Sequence, residues 1–200
     1  SELVFNGSFR RQLEGWERTI GEVRQAASQL EIIPFSSSPS NSALRIRHKG
    51  NGHIQFAQVV NVPYADLVFS ASFQASSHEG PIMGFSGTGI VQIGLNFLDE
   101  DDRILGRTVL VNYVKNPFED TALIGVPRRA GDTYKTHYIE FAKGTFLKNY
   151  RIDIRKEIEG NLLGADSEAL RKIAIVIWCG ASGSRAGSEL WITDVSLRTK

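Results

Sequence analysis

Two hundred residues, 42% of them hydrophobic and 22% charged, are enough for one all-β domain with a real core, needing neither a disulfide nor a metal. The 23 basic and 22 acidic residues leave a net charge of +1, which excludes the basic stripe of an electrostatic nucleic-acid binder. The single cysteine, Cys179, can form no internal disulfide. No run approaches the roughly 20 apolar residues of a membrane span. No signal sequence leads the chain, whose start at Ser1 is what a mature form or an excised module would show.

Short apolar runs separated by Gly, Ser and Asn predict a β-sandwich or barrel. In chain order, extended segments are expected at Leu3–Phe9, Glu22–Pro34, Ser42–His48, Gly52–Val62, Asp66–Ser76, Gly89–Leu98 and Arg103–Val114. Further segments follow at Tyr134–Lys143, Tyr150–Glu157, Leu170–Cys179 and Glu189–Arg198. The period of two is clearest in Leu67, Phe69, Ala71, Phe73 and Ala75 against Ser70, Ser72 and Gln74. It recurs in Val91, Ile93, Leu95 and Phe97 against Gln92, Gly94 and Asn96, the pattern of a half-buried strand. Asp99–Asp102 reads as a hairpin turn, Ser36–Asn41 and the Gly-rich His78–Thr88 as loops, and Asn116–Asp132 as the longest irregular segment. Ile158, Leu162, Leu163 and Leu170 have helical spacing, with Asp166-Ser167-Glu168 as a helix start, so a short helix or a structured loop is expected near 158–171. No linker or repeat divides the chain, and 1–200 reads as a single domain.

The two ends carry the most specific pattern. Asn6-Gly7-Ser8-Phe9 and Gly15-Trp16, with Ser42-Ala43-Leu44-Arg45-Ile46, Phe97-Leu98-Asp99 and the closing Trp191-Ile192-Thr193-Asp194-Val195-Ser196-Leu197, resemble the galactose-binding-like jelly rolls. They are most similar to carbohydrate-binding modules of families 4, 16 and 22. The resemblance implies a jelly-roll β-sandwich of two antiparallel sheets with the chain ends brought together. Asp194 interrupts the alternation between Ile192 and Val195, which implies a bulge in the last strand, and Trp16 is expected to close one end of the core. In such modules the aspartate commonly helps hold a structural Ca²⁺, together with a Glu that follows the Phe of the first motif. Here Arg10 stands at that place, and a guanidinium cannot ligate calcium. Either Asp194 and Glu2, with backbone carbonyls, form the metal site, or Arg10 pairs with Asp194 in place of a metal. No other cofactor is implied.

The resemblance implies a poly- or oligosaccharide ligand on the concave sheet face or in the loops at one edge, and an extracellular or cell-surface setting. It also implies tethering to, or association with, a glycan-active enzyme. Aromatic platforms and amides are the chemistry a sugar requires. Alternation nominates Gln74, Gln92, Asn96, Tyr113, Tyr134, Tyr138, Glu140 and Trp178 for an outward aromatic-and-amide face. Arg128-Arg129 and the strand residues Arg45, Arg47 and His48 are available for an acidic sugar.

Enzyme motifs are absent. The four histidines lack metal spacing, no nucleophile elbow or phosphate loop is present, and Cys179 at the end of an apolar strand reads as a buried inert thiol. A jelly-roll lyase would draw on Tyr138, His137, Arg107 and Gln92. A glycosidase would need a carboxylate partner for Glu140 at about 5–10 Å. A non-sugar protein-interaction module is the third class, since fold does not fix function.

Overall fold

The computed structural model describes residues 1–20, 27–35, 40–78, 80–82, 85–112, 134–141 and 148–200. In chain order the strands are β1 (Glu17–Ile20), β2 (Ala27–Pro34), β3 (Ser42–Lys49), β4 (Gly52–Asn61), β5 (Leu67–His78) and β6 (Gly80–Ile82). They continue with β7 (Phe85–Leu98), β8 (Ile104–Val111), β9 (Lys135–Glu140) and β10 (Lys148–Asp153). A helix, α1 (Ile154–Asn161), and a 3-10 turn at Ser167–Ala169 precede β11 (Lys172–Ser182) and β12 (Gly187–Thr199). Among the described residues seven strands form one sheet, in the order β1-β4-β11-β7-β8-β9 with β6 paired to β7. Five form the other, in the order β10-β5-β12-β3-β2. Pairing is antiparallel throughout except between β8 and β9, which run parallel. The expected β-sandwich is therefore present, with this one parallel edge pair added.

The two sheets share one core. Phe9, Phe56, Phe69, Phe73 and Phe97 are at most 1% exposed, and each such ring contributes on the order of 2–3 kcal/mol of burial. Leu67, Phe69, Ala71, Phe73 and Ala75 of β5 meet Val91, Ile93, Leu95 and Phe97 of β7 across it, as their alternation required. Cys179 lies in the same layer beside Ser188, and burial pushes its thiol up to about 12, so it is inert.

Four local expectations are corrected. The Gly-rich His78–Thr88 is not a loop throughout, since Gly80–Ile82 pairs antiparallel with Phe85–Gly87. Leu3–Phe9 is not a strand: after an isolated bridge from Glu2 to Arg198, the chain turns, with Asn6 at φ 51° and Phe9 at φ 58°. Asn6 holds this turn with its own side chain, donating to the carbonyls of Gln12 and Glu14 and accepting from the Arg11 amide, a polar clasp that competes with strand pairing. The helix starts earlier than expected, because Asp153 caps it by accepting from the Lys156 amide at 3.2 Å, which ends β10 there. Ile154, Ile158 and Leu162 then enter the core at a spacing of four. Asp166 does cap a helical turn, but it is the 3-10 turn Ser167–Ala169. Among the described residues no helix is long and apolar enough to cross a membrane.

The ends meet as expected. The Leu3 amide donates to the Leu197 carbonyl, and the Val195 amide to the Gly7 carbonyl at 3.0 Å. The bulge falls between Thr193 and Ser196, with Asp194 at φ 51°. Trp16 is buried, its ring 5.4 Å from Phe9 and its Nε1 donating to the Asn6 carbonyl. A Cβ on Gly7 would lie 1.8 Å from the Val195 carbonyl oxygen, so only glycine permits this close approach. By contrast a Cβ on Gly160, in α1, would meet nothing within 4 Å. In denaturant titrations Gly7→Ala should therefore lose about 3 kcal/mol or more, while Gly160→Ala should gain about 0.5–1 kcal/mol.

Candidate functional site

Register across the seven-stranded sheet brings most of the nominated residues onto its outer face, turned away from the core. One transverse row runs Gln55–Trp178–Gln92–Val111, with Glu140 beyond it on β9. The next runs Ala57–Val176–Gly94–Val109–Tyr138, and a third Val59–Ala174–Asn96–Arg107–Thr136. Tyr134 precedes β9, and its ring lies 5.4 Å from the Arg107 guanidinium. His53 stacks on Trp178 with centroids 4.9 Å apart. Gln74 is on the other sheet, in β5. Tyr113 and Arg128-Arg129 fall outside the described residues.

This face is not the solvent-facing surface that alternation implies. Trp178 and Asn96 are 0% exposed, Gln92 1% and Arg107 2%. Trp178, Val176, Ile90, Val109 and Val111 form a second apolar cluster with Tyr138 against it. Gln92 is buried with no hydrogen-bond partner for its Oε1 among the described residues, an arrangement whose cost falls in the range of 1–3 kcal/mol.

The lyase set is divided by the same alternation. Tyr138, Arg107 and Gln92 share the outer face, but His137 points to the inner one, where its Nδ1 bonds to Glu157 of α1. Glu157 also accepts from Thr108 Oγ1 at 2.7 Å and from Asn161 Nδ2 at 2.8 Å, so this buried carboxylate is fully engaged in holding α1 to β8 and β9. The carboxylates that register places on the outer face, Glu17 and Glu140, belong to opposite edge strands. Five strand spacings separate them, about 24 Å along the sheet.

The outer face of the five-stranded sheet is open to solvent and carries Gln74, Arg45 and Arg47, which the sequence nominated, together with Trp191, Glu189 and Glu31, which it did not. Register lines up Gln74–Trp191–Arg45–Glu31 in one row and Ser76–Glu189–Arg47–Gln29 in the next. Trp191 is half-buried, with Phe35 edge-on at 5.7 Å and the Arg45 guanidinium 5.3 Å from its ring. Its Nε1 donates to Glu189 Oε1 at 2.6 Å. Arg45 is held from both sides, by Glu189 at 2.9 Å and Glu31 at 3.0 Å. Alternation of Glu189 and Trp191 against Leu190 and Ile192 was the available signal for these residues. His48, in the same strand as Arg45 and Arg47, instead faces inward and is 3% exposed. Its Nε2 donates to the Gly50 carbonyl and its Nδ1 accepts from Ser28 Oγ, so burial keeps it neutral and lowers its pKa.

At the meeting of the chain ends, Arg10 does not pair with Asp194. Its Nε and Nη2 both donate to the Ser40 carbonyl, at 2.8 and 2.6 Å. Asp194 Oδ2 is buried with no partner among the described residues. Glu2 is fully used: Oε1 accepts from the amides of Val4 and Leu197, and Oε2 from Ser196 Oγ and Arg198 Nε. Burial pushes its carboxyl up, but these donors outweigh it and hold it below the ordinary range. Calcium needs six to eight oxygens, and Glu2, already surrounded by four donors, has none to spare, which leaves only Asp194 and backbone carbonyls of the expected set. Among the described residues no three His, Cys, Asp or Glu side chains gather into one cluster.

No protein-family model matches the sequence, and no curated protein is similar to it. Solved structures do match in fold. The enzymatically active domain of tailspike protein 4 from bacteriophage CBA120 superposes with a TM-score of 0.55 at 11% identity, over 98% of this chain and 21% of that one. The chain thus spans about a fifth of the tailspike chain. The family 12 xyloglucanase of Bacillus licheniformis in complex with ligand gives 0.54 at 10% identity, over 99% and 97%. A structure of carbohydrate-binding modules from the β-sandwich superfamily gives 0.50 at 9% identity, over 96% and 60%. The structural neighbours therefore include carbohydrate-binding modules, as the end motifs implied, and the likeness is one of fold.

Two outcomes follow from the titratable groups. His48 and His53 are both depressed below 6.5 by burial. Below that pH the unfolded chain binds more protons than the folded one, so the stability they contribute is present above about 6.5 and is lost as pH falls. Unfolding free energy from urea titration should drop between about pH 7.5 and 5.5, a window above the carboxylate range; an unchanged value would show that neither imidazole is held neutral. Because Glu2 is saturated, adding Ca²⁺ or a chelator should leave the thermal midpoint unmoved in calorimetry.

Proposed function

We propose that this chain is a non-catalytic carbohydrate-binding domain that holds a poly- or oligosaccharide on the solvent-facing side of its five-stranded sheet. The observation that carries this is the row Gln74–Trp191–Arg45–Glu31, a half-exposed indole flanked across the strands by an amide, a guanidinium and a carboxylate. A sugar ring offers an apolar C–H face to an indole and hydroxyls to the groups beside it. Here those groups are fixed in advance: Glu189 and Phe35 set the indole, and two carboxylates set Arg45, so little ordering cost remains on binding. The fold is shared with carbohydrate-binding modules and with a xyloglucanase, proteins whose ligands are saccharides. The domain would act outside the cell, tethered to or working beside a glycan-active enzyme.

A second location for the same activity is favoured by Gln92. Its buried Oε1, without a partner among the described residues, lies in a row with Trp178, and a buried polar group left unpaired calls for an explanation, a bound group among them.

Affinity electrophoresis through polysaccharide gels separates these. Trp191→Ala should weaken retention by about tenfold or more, with the far-UV spectrum unchanged and no reducing ends released by the parent protein. If Gln92→Ala weakens retention and Trp191→Ala does not, the ligand lies on the seven-stranded sheet. Release of reducing ends or of unsaturated products would overturn the non-catalytic role.

A further inference from the structure

Beside Trp191 the same face carries a depression of about 320 Å³, walled by Gln29, Arg47, Lys49, Ser76, His78 and Glu189 among others. Glu189 links it to the indole, two residues further along β12 on the same side. Register sets His78–Gly187–Lys49 directly next to Ser76–Glu189–Arg47–Gln29, and the missing side chain of Gly187 lets the His78 imidazole lie close over its backbone at the wall of the hollow. A Cβ there would meet His78 Cε1 at 2.4 Å.

The charges in and around this hollow do not cancel. Glu189 is occupied by Arg45 and by the indole N–H. Glu31 is shared between Arg45 at 3.0 Å and Arg47 at 3.5 Å. Lys49 has no carboxylate partner among the described residues and is exposed. Three cations thus face two carboxylates that are already engaged, with the hydroxyl of Ser76 and the amide of Gln29 as neutral donors. A guanidinium, an ammonium group and neutral donors around a hollow open to water form a receptor for an oxyanion.

We infer that this hollow is a subsite for the anionic group, carboxylate or sulfate, of an acidic saccharide whose neighbouring ring lies on Trp191. The inference rests on the carbohydrate-binding function proposed above and adds the class of sugar. Arg47 and Lys49 contact the anion, and Trp191 serves charged and neutral chains alike.

The test pairs backbones that differ in charge alone: polygalacturonate against its methyl ester for the carboxylate, and dextran sulfate against dextran for the sulfate. Binding is measured at 0.15 M salt with the parent protein, Arg47→Ala, Lys49→Ala, Trp191→Ala and Lys135→Ala, the last an exposed cation on the other sheet. At least one charged polymer should bind tighter than its neutral partner. Arg47→Ala and Lys49→Ala should each weaken that complex about fivefold or more and leave neutral binding intact. Trp191→Ala should weaken both kinds, and Lys135→Ala neither. Equal affinity for charged and neutral partners, or a loss with Lys135→Ala as large as with Lys49→Ala, overturns the subsite while the carbohydrate-binding role stands. Binding to no glycan on a broad array overturns both.

Discussion

The structure depends on how the N-terminal turn locks onto the bulge of the last strand. Gly7 touches the Val195 backbone and accepts its amide, Asn6 clasps the following loop, and Phe9 and Trp16 fill the end of the core. Gln58 bonds to both the amide and the carbonyl of Phe5, fixing the same turn to β4 of the opposite sheet. The bulge changes which residues of β12 face inward. Before it Leu190 and Ile192 enter the core; after it Val195 and Leu197 do. Without the extra residue Asp194 and Ser196 would be driven inward, and one slip reverses every side chain of a strand. The lock therefore sets the register of the middle strand of the five-stranded sheet, and with it the outward placement of Glu189 and Trp191.

The two outer faces differ in how they treat polar groups. On the five-stranded sheet Arg45, Arg47, Glu31 and Glu189 neutralise one another in water, which costs little and leaves the indole accessible. On the seven-stranded sheet Gln92, Asn96 and Arg107 are buried among aliphatic and aromatic side chains, where each polar atom must find a partner. A ligand can reach the first face without disturbing the core, and that accessibility decides the placement proposed for the saccharide.

Much of this was legible in the sequence, for reasons that can be named. The period of two in Leu67–Ala75 and Val91–Phe97 identified strands with one apolar set, and the broken alternation at Asp194 identified the bulge. The inner and outer faces of β11 were harder to separate, because Ile173–Trp178 is apolar at every position. Gln92 and Asn96 read as solvated, since alternation shows which residues share a face but not whether that face is covered. Trp191 was accounted for by the end motif and so escaped assignment as a ligand residue. The helix start was missed because its cap, Asp153, directly ends a strand with no glycine or proline between them.

Among the described residues the carboxylates are not arranged as a glycosidase pair. Glycoside hydrolysis needs two carboxylates facing a common gap that a glycosidic oxygen can enter. Glu31 and Glu189 both grip Arg45, so its guanidinium lies between them. Glu17 and Glu140 have an open separation, but it spans the whole sheet. Of the two bases a lyase could draw on, His137 and Tyr138 point to opposite sides of β9, so only Tyr138 shares a face with Arg107 and Gln92, and there Arg107 and Gln92 are buried. His137 is bound on the inner side to a carboxylate whose other contacts hold α1 in place. On the accessible face of the five-stranded sheet Arg45, Arg47, Glu31 and Glu189 are already paired with one another, which lowers the cost of ordering them around a sugar.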